Sequence, residues 1–553
     1  MNSQKIGKSF TSFVVPALIY FFCFYVYTFP LMQKFSSHFF TDRRDGLQSI
    51  WNLWWISKSL LSLHTSFWHT SFLHYPFGVD LYTHSLAPLK GLIYTGLQFV
   101  FTRIQSHNFL VMGSFVLGGL NAFCLCRYFT RSYIPSLAGG LIYAFSNAHM
   151  AHAASGHIHM ISFEWNPLFL LLTFQFLETF NVRKGIAAAI VFFLISWSCQ
   201  YYFFYAALCV FLIFLGFVKR TGKDFLNLLF QNRKVVTFVA SLFLISVFLF
   251  IKPMLHGYSQ GPLPEGLHDS RDYSMDLLSP LLPGGFSHYA AWTREIWGSW
   301  KGNYYESSLF VGFTLIFLLL YVLFNRKSFQ EESLNLWLGL AGVFAIFALG
   351  PQLNLMGRAY PVPLPYAALE YFFPAFKLSG IPARMFDVTQ LSLAVIGAMA
   401  LRNLWRGPMK HRVFTSLLMV VLFFEYWPAR FPGISMSVPE SIRLLQTLPP
   451  GAMIDTVSTR HEALYYQTLH EKPMAFGYLS RVPALLESKD KVIKELAVRG
   501  EYDSLCRDYG FRYFIVPSEK AFPSLLASVV RVLFRDSKTL VLESTHPENC
   551  HSS

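Results

Sequence analysis

Long apolar runs separated by short stretches that hold most of the charges dominate the pattern of this chain. A helix of about 17–25 apolar residues is long enough to cross a bilayer, so the pattern predicts a polytopic α-helical membrane protein with about 11 transmembrane helices. The predicted spans are residues 10–32, 107–127, 133–149, 160–180, 185–199, 200–218, 235–252, 308–324, 334–350, 386–402 and 413–428.

The composition supports this interpretation. Of the 553 residues, 53% are apolar and 14% are charged, whereas a soluble chain is typically about 25% charged. This excludes a disordered protein, a collagenous protein and an ordinary cytosolic enzyme. The net charge of +14 would suggest a nucleic-acid partner in a soluble chain. Here the cations lie between apolar runs, so we predict contact with membrane lipids and no nucleic acid.

The basic clusters predict the orientation. The short apolar run 86–101 begins with Ala87-Pro88-Leu89-Lys90, and we place it along the outer interface without crossing. All the basic clusters between spans then share the cytoplasmic side with Lys5 and Lys8, as the positive-inside rule requires. Residues 33–106, 149–159, 253–307 and 351–385 and the C-terminal tail are then extracytoplasmic. No Asn-x-Ser/Thr sequence occurs, which favours a bacterial inner (plasma) membrane.

The tail changes character after the last span. We predict a transmembrane domain over 1–428 and a small extracytoplasmic α/β domain over 429–553. The predicted strands are 452–457, 511–516 and 539–542, the predicted helices are 483–499 and 523–530, and a hairpin turn is predicted at 535–538. Cys506 and Cys550 would meet an oxidising compartment, which leaves a disulfide open. None of the seven cysteines has zinc-finger or CxxC spacing.

The first outer loop carries the most informative segment, Thr41 to Trp55. On a helix, Asp45, Gln48, Ser49 and Asn52 share a polar face, and a tryptophan-rich face opposite suits the membrane–water boundary. Asp42 lies one turn before Asp45, so both carboxylates can point at one place. We take Asp45 and Asp42 as candidate catalytic residues and Gln48 and Asn52 as candidate cleft residues. The alternative is that an aspartate only caps the helix beside two arginines.

A second group of polar residues follows the third span. It contains His149, His152, His157 and His159, and Glu164 comes next at the start of an apolar run. The histidine spacing matches no known metal-ligand motif, so we predict that His157 and His159 line a polar cleft without a metal. A carboxylate inside an apolar run is costly, so Glu164 is expected to be functional or paired.

The later outer loops supply the candidate phosphate ligands. Arg384 follows Ile381-Pro382-Ala383 directly before a span, where it can clamp a lipid-linked phosphate at headgroup depth. The alternative is an arginine that snorkels at a helix end. Further candidates are Arg358, Lys377 and Arg271 for the phosphate and Tyr273, Asp276 and Glu306 for the cleft.

These motifs together resemble the GT-C superfamily of membrane glycosyltransferases. The similarity lies in Asp45-Gly46-Leu47-Gln48-x-x-Trp51-x-Leu53-Trp54-Trp55, Tyr75-Pro76-Phe77-Gly78-Val79, Gly156-His157-x-x-Met160 and the Glu306 to Gly312 element. It is similar to uncharacterised members, including the YfhO-like group. It covers most of the membrane part and the tail more loosely.

The resemblance implies an inverting transfer from a polyprenyl-phosphate-linked sugar to a glycan, lipid or protein acceptor, with Asp45 as general base. The family often has an acidic residue immediately after that aspartate, where this chain has Gly46 and an upstream Asp42. The role of the second carboxylate and the need for a divalent cation, Mg²⁺ or Mn²⁺, stay open. Two alternatives remain: a lipid-linked glycan transporter or flippase, and a catalytically inactive scaffold with the GT-C fold.

Overall fold

The computed structural model describes residues 3–259, 268–300, 302, 305–329, 332–373, 376, 380–519 and 529–550. The chain divides into two compact units. The first unit contains residues 1–40, 103–251 and 266–433, and the second contains residues 41–102, 252–265 and 434–553. Most of the predicted first outer loop, residues 41–102, therefore belongs to the same unit as the C-terminal tail. The predicted domain boundary at 428/429 stays a prediction.

Helices form most of the described chain. In chain order they are α1 Ser3–Tyr27, α2 Asp45–Lys58, α3 Pro88–Leu97, α4 Arg103–Thr130, α5 Tyr133–Ala144, α6 Asn147–Ala154, α7 Trp165–Thr179, α8 Val182–Ser198, α9 Gln200–Thr221, α10 Lys223–Gln231, α11 Arg233–Ser259, α12 Arg294–Trp297, α13 Phe313–Phe324, α14 Glu332–Ala348, α15 Pro365–Phe372, α16 Phe386–Trp405, α17 Met409–Glu425, α18 Glu440–Thr447, α19 Arg460–His470, α20 Ala484–Arg499 and α21 Tyr502–Arg507. The strands are β1 His69–Thr70, β2 Val79–Asp80, β3 Gln352–Leu355, β4 Arg358–Pro363, β5 Ala452–Asp455, β6 Phe511–Pro517, β7 Val530–Arg535 and β8 Thr539–Ser544.

Five helical segments in the described residues are long and apolar enough to cross a membrane. They are Arg103–Thr130, Met160–Thr179, Gln200–Thr221, Arg233–Pro253 and Pro382–Trp405. Shorter apolar helices cover Phe13–Tyr27, Tyr133–Ala144, Phe313–Phe324 and Ser333–Ala348. All these segments fall on predicted spans and support a membrane location. The count of about 11 and the sidedness stay predictions.

Two local features follow the sequence closely. Cys199 has an extended backbone (φ −154°, ψ 121°) that ends α8 and begins α9, which confirms the predicted break in the apolar stretch 185–218. The ten-residue helix α3 spans only about 15 Å at 1.5 Å per residue, against a hydrocarbon core of about 30 Å. This length agrees with the prediction that the run 86–101 does not cross, which stays a prediction because the 12-residue helices α5 and α13 also lie on predicted spans.

Helix α16 lies at the centre of the first unit and packs against α4, α5, α13 and α14. Its apolar window is buried inside the protein throughout. Its polar side chains are paired: Thr389 donates to the carbonyl of Ala341 at 3.1 Å, and Gln390 donates to the carbonyl of Ile142 at 3.0 Å. The 3₁₀ turn Pro382–Met385 enters this helix and is itself buried, so Arg384 is held inside the protein.

A hairpin of β3 and β4 lies in the predicted outer loop 351–385, where no strand was predicted. Met356 and Gly357 form its turn with φ of 51° and 74°, a conformation that favours glycine. The N–H of Gly357 donates to Oδ2 of Asp276 at 2.9 Å, and the N–H of Leu278 donates to Oδ1 at 3.0 Å. Asp276 therefore anchors two loops, and it also lines a small cavity together with Tyr273 and Glu306.

The second unit contains a four-stranded sheet in the order β5-β6-β8-β7. Strands β5 and β6 are parallel, and the other pairs are antiparallel. The predicted small α/β domain and its three predicted strands are confirmed. The predicted helix 523–530 falls largely outside the described residues, but Val530 begins strand β7 instead. Cys506 and Cys550 form the disulfide that the sequence left open.

Candidate active site

Helix α2 begins at Asp45, and the protein covers it from Gly46 to Ile56. Trp51, Trp54 and Trp55 are 0%, 3% and 2% exposed. The prediction that this tryptophan face lies at the membrane–water boundary is therefore wrong, because protein side chains cover it. Trp51 donates its indole N–H to Oε1 of Gln467 at 2.6 Å, which gives the buried ring its polar partner.

The polar face of α2 is also buried. His84 donates from Nε2 to Oδ1 of Asn52 at 2.9 Å, and its Nδ1 accepts from the backbone N–H of Ser480 at 3.2 Å. The amide of Gln48 lies 3.2 Å from Nε2 of the same ring. Gln48 and Asn52 therefore belong to an internal polar network, and their predicted role in a cleft stays a prediction. No sequence signal marked His84 as their partner.

The buried His84 predicts acid sensitivity. Burial, with a contribution from Arg481, lowers the pKa of His84 to about 3. In the unfolded chain the ring takes up a proton near pH 6.5, so stability is full above that pH and falls as the pH drops toward the folded pKa. The loss is about 1.4 kcal/mol per pH unit, or about 2 kcal/mol at pH 5.

We expect the free energy of unfolding of the purified protein in detergent to be lower at pH 5 than at pH 7.5. In the variant His84→Gln the loss between these two pH values should be smaller by about 2 kcal/mol. Some dependence should remain, because burial also lowers the pKa of His470 to about 3. An unchanged pH dependence in His84→Gln would contradict the role assigned to this ring.

The two predicted catalytic carboxylates differ in what they do. Oδ1 of Asp42 accepts from the backbone N–H of Arg44 at 2.9 Å and of Gly46 at 3.3 Å. Asp42 thus bonds the backbone at the start of α2 from two residues before the N-cap, Arg44, a role close to the capping alternative that the sequence allowed. Asp45 opens the helix with a side chain that is 35% exposed, and Nε2 of His461 lies 3.8 Å from its Oδ1. Both carboxylates are partly exposed, and Asp45 is the one that lies beside His461 at the start of α2.

His461 is brought to Asp45 by a helix of the C-terminal segment. Helices α2 and α19 run side by side in the same direction, with contacts Asp45–His461, Trp51–Gln467 and Lys58–Glu471 along their length. The first two contacts are both separated by 416 residues in the chain, so the register of the pair is constant between them. Sequence reasoning missed His461 because nothing in a single sequence pairs residues so far apart.

A second polar cluster lies in the first unit, which we call the Glu306 cluster: Glu306, Arg384, His152, His157 and Tyr201. Arg384 donates to Oε1 of Glu306 from Nε at 3.0 Å and from Nη2 at 2.6 Å. The guanidinium lies 4.7 Å from the centre of the Tyr201 ring. Nε2 of His152 is 3.8 Å from Oε2 of Glu306, and the Nδ1 atoms of His152 and His157 are 2.9 Å apart.

The electrostatics of the Glu306 cluster favour one ion pair and a neutral His152 ring. Burial would raise the pKa of Glu306, but Arg384 with the histidines outweighs it and holds the pKa at about 2. Burial lowers the pKa of His152 to about 3 despite the nearby carboxylate. Glu306 is therefore ionised and His152 neutral at neutral pH, so the charges of Glu306 and Arg384 compensate each other.

This cluster also fits a divalent cation. One ligating atom each from His152, His157 and Glu306 lies within 4.8 Å of the others. Arg384 donates to Oε1 of Glu306, and Oε2 of the same carboxylate lies 3.8 Å from Nε2 of His152. Two imidazole nitrogens and one carboxylate form a donor set typical of transition-metal ions, whereas Mg²⁺ prefers oxygen ligands. The sequence spacing of the histidines gave no such signal, because Glu306 comes from a distant loop.

The other predicted phosphate ligands lie elsewhere in the first unit. Arg271 pairs with Asp269 at 2.7 Å, with side chains that are 63% and 43% exposed. Arg358 is exposed on strand β4. Lys377 lies outside the described residues. Among the predicted phosphate ligands that the structure describes, Arg384 is the buried one. It is paired with Glu306, a partner that the sequence did not assign to it.

The remaining cleft candidates are close to the Glu306 cluster or buried apart from it. Tyr273 lines a small cavity with Glu306 and Trp300, with room for about one water molecule. The ring of His159 lies 5.9 Å from that of His157 and 6.2 Å from that of Tyr201. Glu164 is 2% exposed at the end of the 3₁₀ turn before α7.

A comparison with the profiles of known protein families identifies the family of this chain. The profile of a family described as a domain of unknown function, DUF6311, matches residues 16–426. The chain belongs to the DUF6311 family. No match was found among the curated proteins.

Solved structures resemble this DUF6311 chain in fold. Arabinofuranosyltransferase AftD from mycobacteria is 12% identical with a TM-score of 0.53, over 96% of this chain and 41% of that chain. The oligosaccharyltransferase of Archaeoglobus fulgidus is 11% identical with a TM-score of 0.50, over 97% of this chain and 74% of that chain. The GT-C fold that the sequence resemblance implied is confirmed, while identities this low carry no information about substrate.

Proposed function

We propose that this protein is an inverting glycosyltransferase that moves a sugar from a polyprenyl-phosphate donor to an extracytoplasmic glycan, lipid or protein. The observation that carries the proposal is which polar side chains of α2 are exposed and which are buried. Gln48, Ser49 and Asn52 are buried, while Asp45 at its beginning stays accessible. The names of the two fold relatives, an arabinofuranosyltransferase and an oligosaccharyltransferase, support the transferase class.

Asp45 is proposed as the general base. An acceptor hydroxyl must lose its proton as its oxygen attacks the anomeric carbon, and a carboxylate in hydrogen-bond reach accepts it. The leaving group is a phosphate, whose developing negative charge needs oriented cationic donors.

Arg384 is proposed to bind that phosphate. Glu306 takes two of the five N–H donors of its guanidinium, so the remaining donors can reach a phosphate oxygen. Both of these N–H groups donate to the same oxygen, Oε1, and the two charge-assisted bonds hold the orientation of the guanidinium.

A reconstituted assay tests the proposed function. The purified protein is placed in liposomes that contain a radiolabelled polyprenyl-phosphate sugar and membrane extract as acceptor. We expect label to leave the lipid, with release of free polyprenyl phosphate. Movement of intact labelled lipid between leaflets without cleavage would favour a flippase, and binding of the lipid with neither result would favour an inactive scaffold. Either outcome would overturn the proposal.

We further propose that the divalent cation left open by the resemblance binds at His152, His157 and Glu306. Such an ion would supply positive charge to a phosphate at this cluster. Of the two ions considered, Mn²⁺ suits the donor set better than Mg²⁺, because Mg²⁺ prefers oxygen ligands in octahedral geometry.

Metal binding can be measured without activity. We expect the purified protein to bind about one Mn²⁺ by electron paramagnetic resonance, and the variants His152→Ala and His157→Ala to bind it at least tenfold more weakly, in line with the loss of a ligand. His159→Ala is the matched control, since His159 is a neighbouring histidine outside the ligand set. Equal binding by all four proteins would exclude this site.

A further inference from the structure

His461 is the second residue of α19 and faces the accessible carboxylate of α2. Its Nε2 atom is buried, has no hydrogen-bond partner among the described residues, and lies 3.8 Å from Oδ1 of Asp45. The imidazole ring lies 4.5 Å from the ring of Tyr478, with 35° between their planes. The ring is therefore supported on one side and directs an unused nitrogen toward Asp45.

The first turn of α19 is fixed by its own sequence. Thr459 and Glu462 form a capping box, in which Oγ1 of Thr459 accepts the N–H of Glu462 at 3.3 Å. The contacts Trp51–Gln467 and Lys58–Glu471 hold the remainder of α19 against α2. The position of His461 is thus set by both helices and does not depend on a flexible loop.

Burial is the main reason why the ring of His461 is neutral at neutral pH. Burial lowers the pKa of His461, and Asp45 and Asp42 oppose this effect while Arg44 and Arg460 add to it. The net pKa lies below the ordinary value of 6.5. At neutral pH the ring is therefore an acceptor of a proton and not a donor of positive charge.

We propose that His461 is the proton partner of Asp45, so that the C-terminal segment supplies a positioning residue to the reaction. This inference rests on the proposed function. The bond between the acceptor oxygen and the anomeric carbon forms, and the bond between that carbon and the phosphate oxygen breaks, with its electron pair going to the phosphate. The hydroxyl proton moves to Asp45 and then to the buried Nε2 of His461. The imidazolium formed in this way can release a proton to water through the exposed part of its side chain, which is 25% exposed as a whole.

The distance is compatible with this role. At 3.8 Å the two atoms are not hydrogen-bonded in the resting structure. Catalytic contacts are often long before substrate binds and shorten in the complex. Protonation of Asp45 would leave an O–H donor within reach of the unused Nε2.

His461→Ala and His461→Gln test the proposal in the reconstituted assay. We expect kcat to fall about tenfold to a hundredfold, less than the loss expected of the base itself, with KM for the donor lipid unchanged. The acidic limb of the pH profile should change, because one of its two titrating groups is gone. Added imidazole should restore part of the rate of His461→Ala, which a purely structural role would not allow.

Lys58→Met is the matched control, since it breaks a contact of the same helix pair far from Asp45. It should keep the kcat of the original protein and gain nothing from imidazole. A readout independent of turnover is the pKa of His461 by nuclear magnetic resonance, which should fall in Asp45→Asn because the neighbouring negative charge is removed.

The outcomes separate the two proposals. Full transfer by Asp45→Asn, or no transfer by the original protein, would overturn the proposed function and this inference with it. Loss of transfer in Asp45→Asn, together with an unchanged rate and pH profile in both His461 variants, would overturn this inference alone. A loss of activity in Lys58→Met as large as the loss in His461→Ala would also overturn this inference alone.

Discussion

Asp45→Asn is expected to lower the rate of sugar transfer by about 10²–10⁴-fold, the usual contribution of a general base. The amide has nearly the shape of the carboxylate but cannot accept the proton of the acceptor hydroxyl. Because Asp45 is partly exposed at the first residue of α2, the change should leave the fold intact. Initial rates with the labelled donor lipid, at equal protein level in liposomes, measure the effect.

The matched variant is Asp42→Ser. Asp42 caps the beginning of α2 through the backbone N–H groups of Arg44 and Gly46, and serine is a comparable capping residue. We expect this variant to keep transfer within a few-fold of the original protein, because Asp42 acts on the helix and not on the proton. Normal transfer by Asp45→Asn would reject the proposed base, and equal losses in both variants would indicate that the whole segment was disturbed.

The membrane part of the fold was largely predictable, because its signals are local. An apolar run has one low-energy solution in a bilayer, a helix that satisfies its own backbone. The polar break at Cys199 and the short run at α3 were predicted for the same reason. Three of the four strands of the C-terminal sheet also followed the local pattern, but β7 was not predicted. The β3–β4 hairpin was also missed, because its turn at Met356 and Gly357 lacks the usual asparagine or aspartate.

The amphipathic pattern of α2 was recognised, but its meaning was not. A helix with an aromatic face and a polar face suits either a membrane boundary or a protein interior that satisfies the polar groups. In this structure His84 and Gln467 satisfy them. Those partners lie outside the helix, so the sequence of α2 alone could not distinguish the two environments.

The sequence also could not identify the partners of the candidate site residues. Asp45, Glu306 and Arg384 were each selected by residue type and place in the chain. Their partners were not, because pairing depends on tertiary structure: Glu306 meets Arg384 across 78 residues. Asp276 and Gln48 were selected by the same reasoning but serve internal hydrogen bonds. A polar residue in an outer loop therefore identifies a candidate, and only its partners assign its role.

Arg384→Met is expected to lower the free energy of unfolding by about 3–5 kcal/mol, because it leaves the buried carboxylate of Glu306 without its cation. Glu306 and Arg384 have side chains only 4% and 7% exposed. In the double variant Arg384→Met, Glu306→Leu, most of this loss should be recovered, since no unpaired charge remains. Chemical unfolding of the purified protein in detergent measures all three proteins. The exposed Arg271, which pairs with Asp269, is the control, and Arg271→Met should cause no measurable loss.

The pH dependence of this loss gives a second check on the pair. The pKa of Glu306 is about 2, below its ordinary value, so the contribution of the ion pair is complete above about pH 4.5 and is lost as the pH falls toward 2. In Arg384→Met burial dominates and raises the pKa of Glu306, so protonation relieves the unpaired charge as the pH falls. The difference in stability between the original protein and Arg384→Met should therefore shrink from pH 7.5 to pH 5. A constant difference, or no recovery in the double variant, would show that Arg384 stabilises the fold through packing against Tyr201 and not through the charge of Glu306.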